Sequence, residues 1–255
     1  MATVDPALEP VLTALVHGLR ELKIDFCIVG ALVPELLLET KPSTRTNDAD
    51  AVVFVPDVAA FEAVKKGLTP KGFSETAIPH RLTYRSGGLA DILPYSHELV
   101  PDGTLRLPPD LVMNMAGFDR VVEAAVEVTL DSGLVVPVAP LCLYALLKLV
   151  AYTDRKAPKD LDAVEHLLRH YGEDDDRRWG LEHEDKLVDY GYGSSYLLGI
   201  DGAEFIGAGL SETLRPLLVL LSNGSTGSPV SENNEDASRP GREDLFFWYR
   251  RGLGL

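Results

Sequence analysis

The sequence has no apolar run that approaches the roughly 20 residues needed to cross a bilayer. It also has no basic N-terminal region ahead of a signal-type apolar segment, so we expect a cytoplasmic protein that does not associate with membranes. There are only two cysteines, Cys27 and Cys142, and both stand in apolar sequence. They therefore predict buried core positions rather than a disulfide framework or a metal-binding pair.

Basic residues are in the minority, because 24 Lys and Arg against 39 Asp and Glu give a formal net charge of −15. A protein that binds nucleic acid through its phosphates normally needs a basic face, so the balance argues against nonspecific nucleic-acid binding. A local basic groove could still form from a scattered set of cations: Arg81, Arg85, Arg155, Lys156, Lys159 and Arg169. The 45% hydrophobic content of the 255 residues predicts a folded chain of one large or two small domains.

Two aspartates interrupt the largely apolar run of residues 47–55. Side chains alternate along a strand, so Asp48 and Asp50 project from the same face. Carboxylates held so close repel each other and raise each other's pKa unless a cation lies between them, and their hard oxygens suit Mg²⁺ or Mn²⁺. The plainer alternative makes Asn47 and Asp48 a turn and Asp50 a solvated residue at a strand edge.

A strand, a glycine and a helix are predicted in series just before this pair. Residues 22–29 predict a buried strand that Gly30 ends, and residues 31–39 have helical spacing. Such a junction offers backbone N–H groups and the positive end of a helix dipole to a phosphate. A phosphate site near two carboxylates is the arrangement expected for phosphoryl or nucleotidyl transfer.

A third carboxylate, Asp91, stands at the centre of a predicted strand over residues 89–93. An aspartate between apolar strand neighbours is costly unless it is paired or coordinates a cation. We therefore predict Asp91 as the third metal ligand. The alternative is that Asp91 caps a turn before Pro94.

The remaining pattern predicts an α+β fold, with a mixed sheet flanked by helices and followed by a helical C-terminal lobe. Helical spacing is found over residues 6–22, 57–68 (capped by Asp57), 141–153, 181–192 and 210–221, and a hairpin within residues 121–138 would complete the sheet. Four regions are predicted: a core (1–138), a helical lobe (139–221), a disordered polar linker (222–244) and an aromatic tail that docks on the body or on a partner (245–255).

Gly30 and Ala31, followed by residues 45–50 (Arg-Thr-Asn-Asp-Ala-Asp), resemble the signature of the polymerase-beta-type nucleotidyltransferase superfamily. That signature is an apolar residue, Gly, then Gly or Ser, a spacer, and Asp-x-Asp or Asp-x-Glu. Thr46 is similar to a residue of the AbiEii-like branch, whereas Ala31 and the position of Arg45 depart from the usual pattern. The resemblance implies a nucleotidyltransferase-like sheet in which Gly30, Ala31 and Thr46 contact the nucleotide.

Residues 147–168 resemble the closing motif of AbiEii-like proteins: a Lys-Leu-x-Ala helix, then Asp-Arg, a linker and a Lys-Asp-x-x-Asp-like helix start. In this chain the second aspartate of the last element, Asp162, follows only two residues after Asp160. By this resemblance Lys148 would hold the nucleotide phosphates, and Asp160 would orient Lys148 or the acceptor. The plainer alternative is a solvated loop with Asp160 as a helix N-cap.

Taken together, the resemblance covers roughly residues 22–170 and implies a metal-dependent enzyme that moves a nucleoside monophosphate from an NTP to an acceptor hydroxyl. Asp48, Asp50 and Asp91 would bind Mg²⁺ or Mn²⁺. The AbiEii-like branch implies a toxin-like protein with an antitoxin partner, but the acidic charge favours a small-molecule or protein acceptor over RNA. The competing hypothesis is a nucleotidyltransferase-fold protein that binds nucleotide or a protein partner without turnover.

Overall fold

The computed structural model describes residues 2–42, 46–181, 188–225 and 240–255. These residues form two compact units. The first contains the described residues up to Leu37 and from Lys41 to Pro140, and the second contains Leu38–Thr40 and those from Leu141 to Leu255. None of the helices in the described ranges has both the length and the apolarity that a bilayer crossing demands.

The described part of the first unit contains both helices and strands. They are α1 (Glu9–Glu21), β1 (Phe26–Val29), α2 (Leu32–Leu37), β2 (Asp48–Phe54), α3 (Val58–Leu68), β3 (Phe73–Glu75), β4 (Arg81–Tyr84), β5 (Leu89–Tyr95), β6 (Thr104–Leu107), β7 (Leu111–Asn114), β8 (Val126–Thr129) and β9 (Val135–Val138). The carboxylate of Asp57 accepts a hydrogen bond from the backbone N–H of Ala60 at 2.7 Å, so the predicted cap of α3 is confirmed.

Within the described residues, seven strands form one mixed sheet in the order β3-β4-β5-β2-β1-β9-β8. The central strand β2 runs antiparallel to β1 and parallel to β5. The predicted hairpin is formed by β8 and β9, and β9 joins the sheet through a parallel pairing with β1. Strands β6 and β7 form a separate two-stranded sheet that the sequence did not predict.

The two faces of β2 differ in the way that the predicted alternation requires. Ala49, Ala51 and Val53 are fully buried, whereas Asp48 and Asp50 are half-buried. Helix α1 contacts both α3 and β5, so the helices of this unit cover part of the sheet. The predicted α+β class, a mixed sheet flanked by helices and followed by helices, is confirmed.

The second unit is helical in its described part. Its helices are α4 (Leu141–Arg155), α5 (Pro158–His170), α6 (Arg177–Trp179), α7 (Gly193–Gly202), α8 (Ala208–Leu221) and α9 (Arg242–Gly252). Helices α7 and α9 approach closely, because a Cβ on Gly199 would lie 2.4 Å from the carbonyl oxygen of Tyr249. The sequence did not predict α7, because its glycines give the segment a low helix propensity. The tertiary contacts that offset this low propensity are visible only in the folded chain.

Most of the predicted linker over residues 222–244 falls on residues 226–239, outside the described residues. At its start the Ser222 hydroxyl donates to the carbonyl oxygen of Leu218 at 2.7 Å, and at its end α9 begins at Arg242. The helix therefore begins before residue 245, where the predicted tail starts. Two acidic residues in the first turn of α9, Glu243 and Asp244, favour this start because they interact well with the positive end of the helix dipole. The predicted helical piece over residues 181–192 falls partly on residues 182–187, which are also outside the described residues.

The two cysteines occupy core positions, as the sequence predicted. Cys27 is fully buried in the first unit and Cys142 is buried in the second, and both are free thiols. Burial raises the pKa of Cys27 to about 12 and that of Cys142 to about 11. Both side chains are therefore protonated, apolar-packed groups at neutral pH.

Candidate functional site

The register of four neighbouring strands places charged residues in one row. On β2, Asp50 pairs with Val29 of β1 on one side and with Asp91 of β5 on the other. Asp91 in turn pairs with Arg81 of β4. Residues that pair across strands point to the same face, so Asp50, Asp91 and Arg81 lie side by side on the sheet.

Asp48, two residues before Asp50 on the same face of β2, completes a group of three carboxylates. One carboxylate oxygen from each of Asp48, Asp50 and Asp91 lies within 4.8 Å of the other two. Among the described residues no other group of His, Cys, Asp or Glu is arranged in this way. Asp48 and Asp50 lie in the central strand β2 and Asp91 lies inside β5, which continues through Pro94, so the alternatives for these three residues are wrong. Only Asn47 lies in a bend, directly before β2.

Gly30 provides the space that the Asp50 side chain occupies. Its φ of +72° is left-handed, and a Cβ at this position would lie 1.8 Å from Oδ2 of Asp50. The sequence predicted Gly30 as the turn between strand and helix and, by the resemblance, as a nucleotide contact, but it did not predict the approach of Asp50. The turn is followed by α2, which has six residues, and the N–H of Val33 donates to the carbonyl oxygen of Gly30 at 3.1 Å. Contact of Gly30 and Ala31 with a phosphate stays a prediction.

We expect Gly30→Ala to weaken Mn²⁺ binding at least about tenfold, because the new methyl group would displace the Asp50 carboxylate. The left-handed backbone would also cost about 1–2 kcal/mol of stability. Gly87→Ala is the matched control, since Gly87 has a φ of +89° but a methyl group there would meet no atom of the described residues within 4 Å. The melting temperature of Gly30→Ala should fall at least as far as that of Gly87→Ala, because the clash with Asp50 adds to the backbone cost that both variants share. Equal Mn²⁺ affinity in the two variants would contradict the account.

Thr46, which the resemblance places at the nucleotide, contacts the first aspartate. Its hydroxyl donates a short hydrogen bond to Oδ1 of Asp48, and the Asp48 N–H donates back to the hydroxyl oxygen at 3.4 Å. These bonds restrict the orientation of the Asp48 carboxylate. A nucleotide contact by Thr46 stays a prediction.

Arg81 forms a two-pronged ion pair with Asp91. Its Nε donates to Oδ1 at 2.7 Å and its Nη2 donates to Oδ2 at 2.6 Å. The hydrogen bonds to Asp91, with smaller contributions from the charges of Asp48 and Asp50, raise the pKa of Arg81. The sequence had assigned Arg81 only to a general basic groove, whereas the structure pairs it with the predicted third ligand.

The signal for this pairing is the tight turn between β4 and β5. The N–H of Tyr84 donates to the carbonyl oxygen of Gly88 at 3.1 Å. Counting outward from this pair places residue 81 opposite residue 91. The Ser-Gly-Gly sequence of residues 86–88 is typical of a turn, but it does not show which residues close the turn, and the hairpin register depends on that choice.

His80, next to Arg81, is a second neighbour that the sequence did not single out. Its Nε2 lies 3.8 Å from Oδ2 of Asp91, and its buried Nδ1 has no hydrogen-bond partner among the described residues. Burial lowers the pKa of His80, and the charge of Asp91 opposes this shift only in part. The imidazole is therefore neutral at pH 7.

The other two predicted site residues, Lys148 and Asp160, lie in the second unit, where they contact each other. The Lys148 Nζ is 3.5 Å from Oδ1 of the fully buried Asp160. Arg155, not predicted as a site residue, donates to both carboxylate oxygens, with its Nε 2.6 Å from Oδ2. The N-cap of α5 is Ala157 and Asp160 sits inside the first turn, so the N-cap alternative for Asp160 is wrong.

Burial acts to raise the pKa of Asp160, but the hydrogen bonds from Arg155 and the charge of Lys148 outweigh it, and the pKa is lowered. A carboxyl group with a lowered pKa stabilises the fold above its unfolded pKa, near 3.8, and this contribution is lost as the pH falls through the folded value. Asp160 is thus the buried anionic centre of a small cluster whose Arg155 side chain is about half exposed. Its role in orienting Lys148 toward a nucleotide stays a prediction.

We expect Asp160→Asn to lower the free energy of unfolding of the second unit by about 3 kcal/mol at pH 7, because it removes the buried negative charge to which Arg155 and Lys148 donate. Denaturant unfolding at pH 7 and at pH 3 would measure this. The difference from the wild type should shrink in acid, because below about pH 3.8 the unfolded chain takes up a proton at Asp160 and the stabilisation from its lowered folded pKa is progressively lost. Asp162→Asn on the same helix, whose partner is the exposed Arg242, is the control and should cost under about 1 kcal/mol. Equal losses in the two variants would contradict the assignment.

Among known proteins, this chain has similar solved structures but no similar sequence family. No protein-family model and no curated protein matches the sequence. The chain is similar to an antigenic nucleotidyltransferase-like protein from Paracoccidioides brasiliensis, with 19% identity, 65% of this chain and 77% of that chain covered, and a TM-score of 0.44. It is also similar to the antibiotic-resistance factor ANT(2'')-Ia, with 11% identity, 63% and 83% covered, and a TM-score of 0.38.

A third similar structure is the CdnE cyclic dinucleotide synthase of Elizabethkingia meningoseptica with GTP and Apcpp. It shares 12% identity over 100% of this chain and 96% of that chain, with a TM-score of 0.32. These TM-scores are low. The function proposed below therefore rests on the carboxylate cluster and on the sequence motifs.

Proposed function

We propose that this protein is a metal-dependent nucleotidyltransferase that moves a nucleoside monophosphate from an NTP to an acceptor hydroxyl. The observation that carries the proposal is the group of three carboxylates within 4.8 Å on β2 and β5. Two of them lie two residues apart on one strand, and the third comes from a separate strand brought into register. The three carboxylates carry more negative charge than the one guanidinium of Arg81 neutralises, which supports a cation-binding role.

The chemistry of the cluster fits Mg²⁺ or Mn²⁺. All three groups are carboxylates, the hard oxygen ligands that these ions prefer, and Asp91 is only 13% exposed. When bound, a divalent cation would neutralise the triphosphate and lower the pKa of the acceptor hydroxyl. Asp48, Asp50 and Asp91 would hold the ion, and one of the three carboxylates would accept the proton of the acceptor.

Further roles come from the sequence resemblance alone. Gly30 and Ala31 would allow the phosphates to approach the backbone after β1, and Thr46 would contact the nucleotide. Lys148 would bind the phosphates, with Asp160 as the residue that orients it. The contact between Lys148 and Asp160 supports this last pairing, since an oriented ammonium loses less freedom on binding an anion.

The class of the acceptor is proposed from the net charge of the protein. With a net charge of −15 the protein would repel a polynucleotide, so a small molecule or a protein is favoured over RNA. The AbiEii-like motifs support a finer alternative for the same chemistry, a toxin-like protein with an antitoxin partner. Transfer to RNA is the result that would favour this alternative.

The proposal is tested by incubating the protein with each α-phosphate-labelled NTP, Mg²⁺ and a cell extract. We expect label to enter small metabolites or protein, with release of pyrophosphate that stops when EDTA is added. Label in RNA, lost at moderate salt, would instead favour the toxin-like alternative. Nucleotide binding in Mg²⁺ without pyrophosphate release for any NTP would favour the competing hypothesis of a binding protein without turnover.

A further inference from the structure

The ion pair between Arg81 and Asp91 differs from an ordinary surface pair in its position. Asp91 is one of the three clustered carboxylates, and its side chain is 13% exposed against 30% for that of Arg81. The pair is closed by two parallel hydrogen bonds of 2.7 and 2.6 Å, the geometry that fixes a carboxylate most strongly. Arg81 of β4 and Asp91 of β5 are paired residues on adjacent strands, so the backbone pairing also keeps their side chains next to each other.

A carboxylate oxygen has two lone pairs, and the guanidinium of Arg81 uses one on each oxygen of Asp91. One lone pair on each oxygen is thus left for a cation. In this orientation the Asp91 carboxylate already lies within 4.8 Å of those of Asp48 and Asp50.

We propose that Arg81 is a positioning residue of the metal site: it holds Asp91 in the orientation that binds the cation and stays bonded to Asp91 when the cation is present. This inference rests on the metal site of the proposed function. Arg81 also supplies positive charge beside the three carboxylates before a cation arrives. Thr46 acts on Asp48 in the same manner, so two of the three carboxylates are oriented by other side chains.

The test is a titration of the protein with Mn²⁺ in the absence of nucleotide, in which electron paramagnetic resonance measures the bound and free Mn²⁺. We expect Arg81→Gln to weaken Mn²⁺ binding about 10- to 100-fold, the effect typical of removing a partner that orients a metal ligand. Arg81→Lys keeps the charge but cannot form two parallel bonds, so its affinity should fall between those of Arg81→Gln and the wild type. Circular dichroism shows whether each variant is folded. If Arg81→Gln does not fold, the comparison of Mn²⁺ affinity is made between Arg81→Lys and the wild type.

The matched control is Arg106→Gln, which breaks a two-pronged pair with Asp102 on the same unit but away from the carboxylate cluster. Its Mn²⁺ affinity should equal that of the wild type. Unchanged binding in Arg81→Gln would overturn the inference, and tighter binding would overturn it and mean that Arg81 competes with the cation. A wild-type protein that binds no Mn²⁺ would overturn the proposed metal site itself, so the two failures are distinguishable.

Discussion

Asp50→Asn should reduce nucleotidyl transfer by about 10³-fold or more, equivalent to roughly 4 kcal/mol of transition-state stabilisation. Asp50 lies at the centre of the row on β2, between Val29 of β1 and Asp91 of β5. An amide is nearly the same shape as the carboxylate but carries no charge, so the variant removes a ligand without leaving a cavity. Initial rates of pyrophosphate release measure the effect.

The fold of Asp50→Asn should be retained, because neutralising one of three clustered carboxylates relieves repulsion in the metal-free protein. Its melting temperature without metal should be equal to or above that of the wild type. Asp102→Asn, at an exposed residue in the turn before β6 of the same unit, is the control and should keep full activity. A large loss of stability in metal-free Asp50→Asn would mean that Asp50 has a structural role rather than the catalytic one.

Phe246→Ala should lower the free energy of unfolding of the second unit by about 3–5 kcal/mol. The Phe246 side chain is fully buried on α9, the helix formed by the aromatic C-terminal tail. This helix packs on α7 and α8. Truncation would leave a cavity in that interface, and denaturant unfolding followed by far-UV circular dichroism would measure the loss.

Phe247→Ala is the matched control, because the adjacent ring on the same helix is only half-buried. It should cost about 1 kcal/mol or less. If Phe246→Ala and Phe247→Ala cost the same, α9 would not be docked as the structure shows. A loss confined to Phe246→Ala would show that the tail is part of the core of the second unit.

The carboxylate pair could be predicted from sequence because it depends on strand periodicity alone. Asp48 and Asp50 share a face on any strand, and Asp91 stood out because a charge inside an apolar strand needs a partner. The pairing of Asp91 with Arg81 could not be predicted, since it depends on the hairpin register set by Tyr84 and Gly88. The same holds for the approach of Gly30 to Asp50, which depends on the pairing of β1 with β2.

The second unit was harder to predict because its packing overrides local propensity. Helix α7 is rich in glycine, yet Gly199 is required where the backbone of α9 comes close. Asp160 resembled a helix cap in sequence, and only the folded chain shows it buried between Arg155 and Lys148. The sequence therefore placed Asp160 correctly near the start of a helix. It was wrong about the groups that Asp160 contacts, which are side chains and not the free backbone N–H groups of the helix.

The central claim is that Asp48, Asp50 and Asp91 together bind a divalent cation, and the most direct test is anomalous diffraction from crystals soaked in Mn²⁺. We expect one strong anomalous peak about 2.0–2.2 Å from an oxygen of each carboxylate, with Arg81 still bonded to Asp91. The peak should be absent from crystals of Asp50→Asn. A Mn²⁺ peak elsewhere, or none at the three carboxylates at saturating Mn²⁺, would contradict the account.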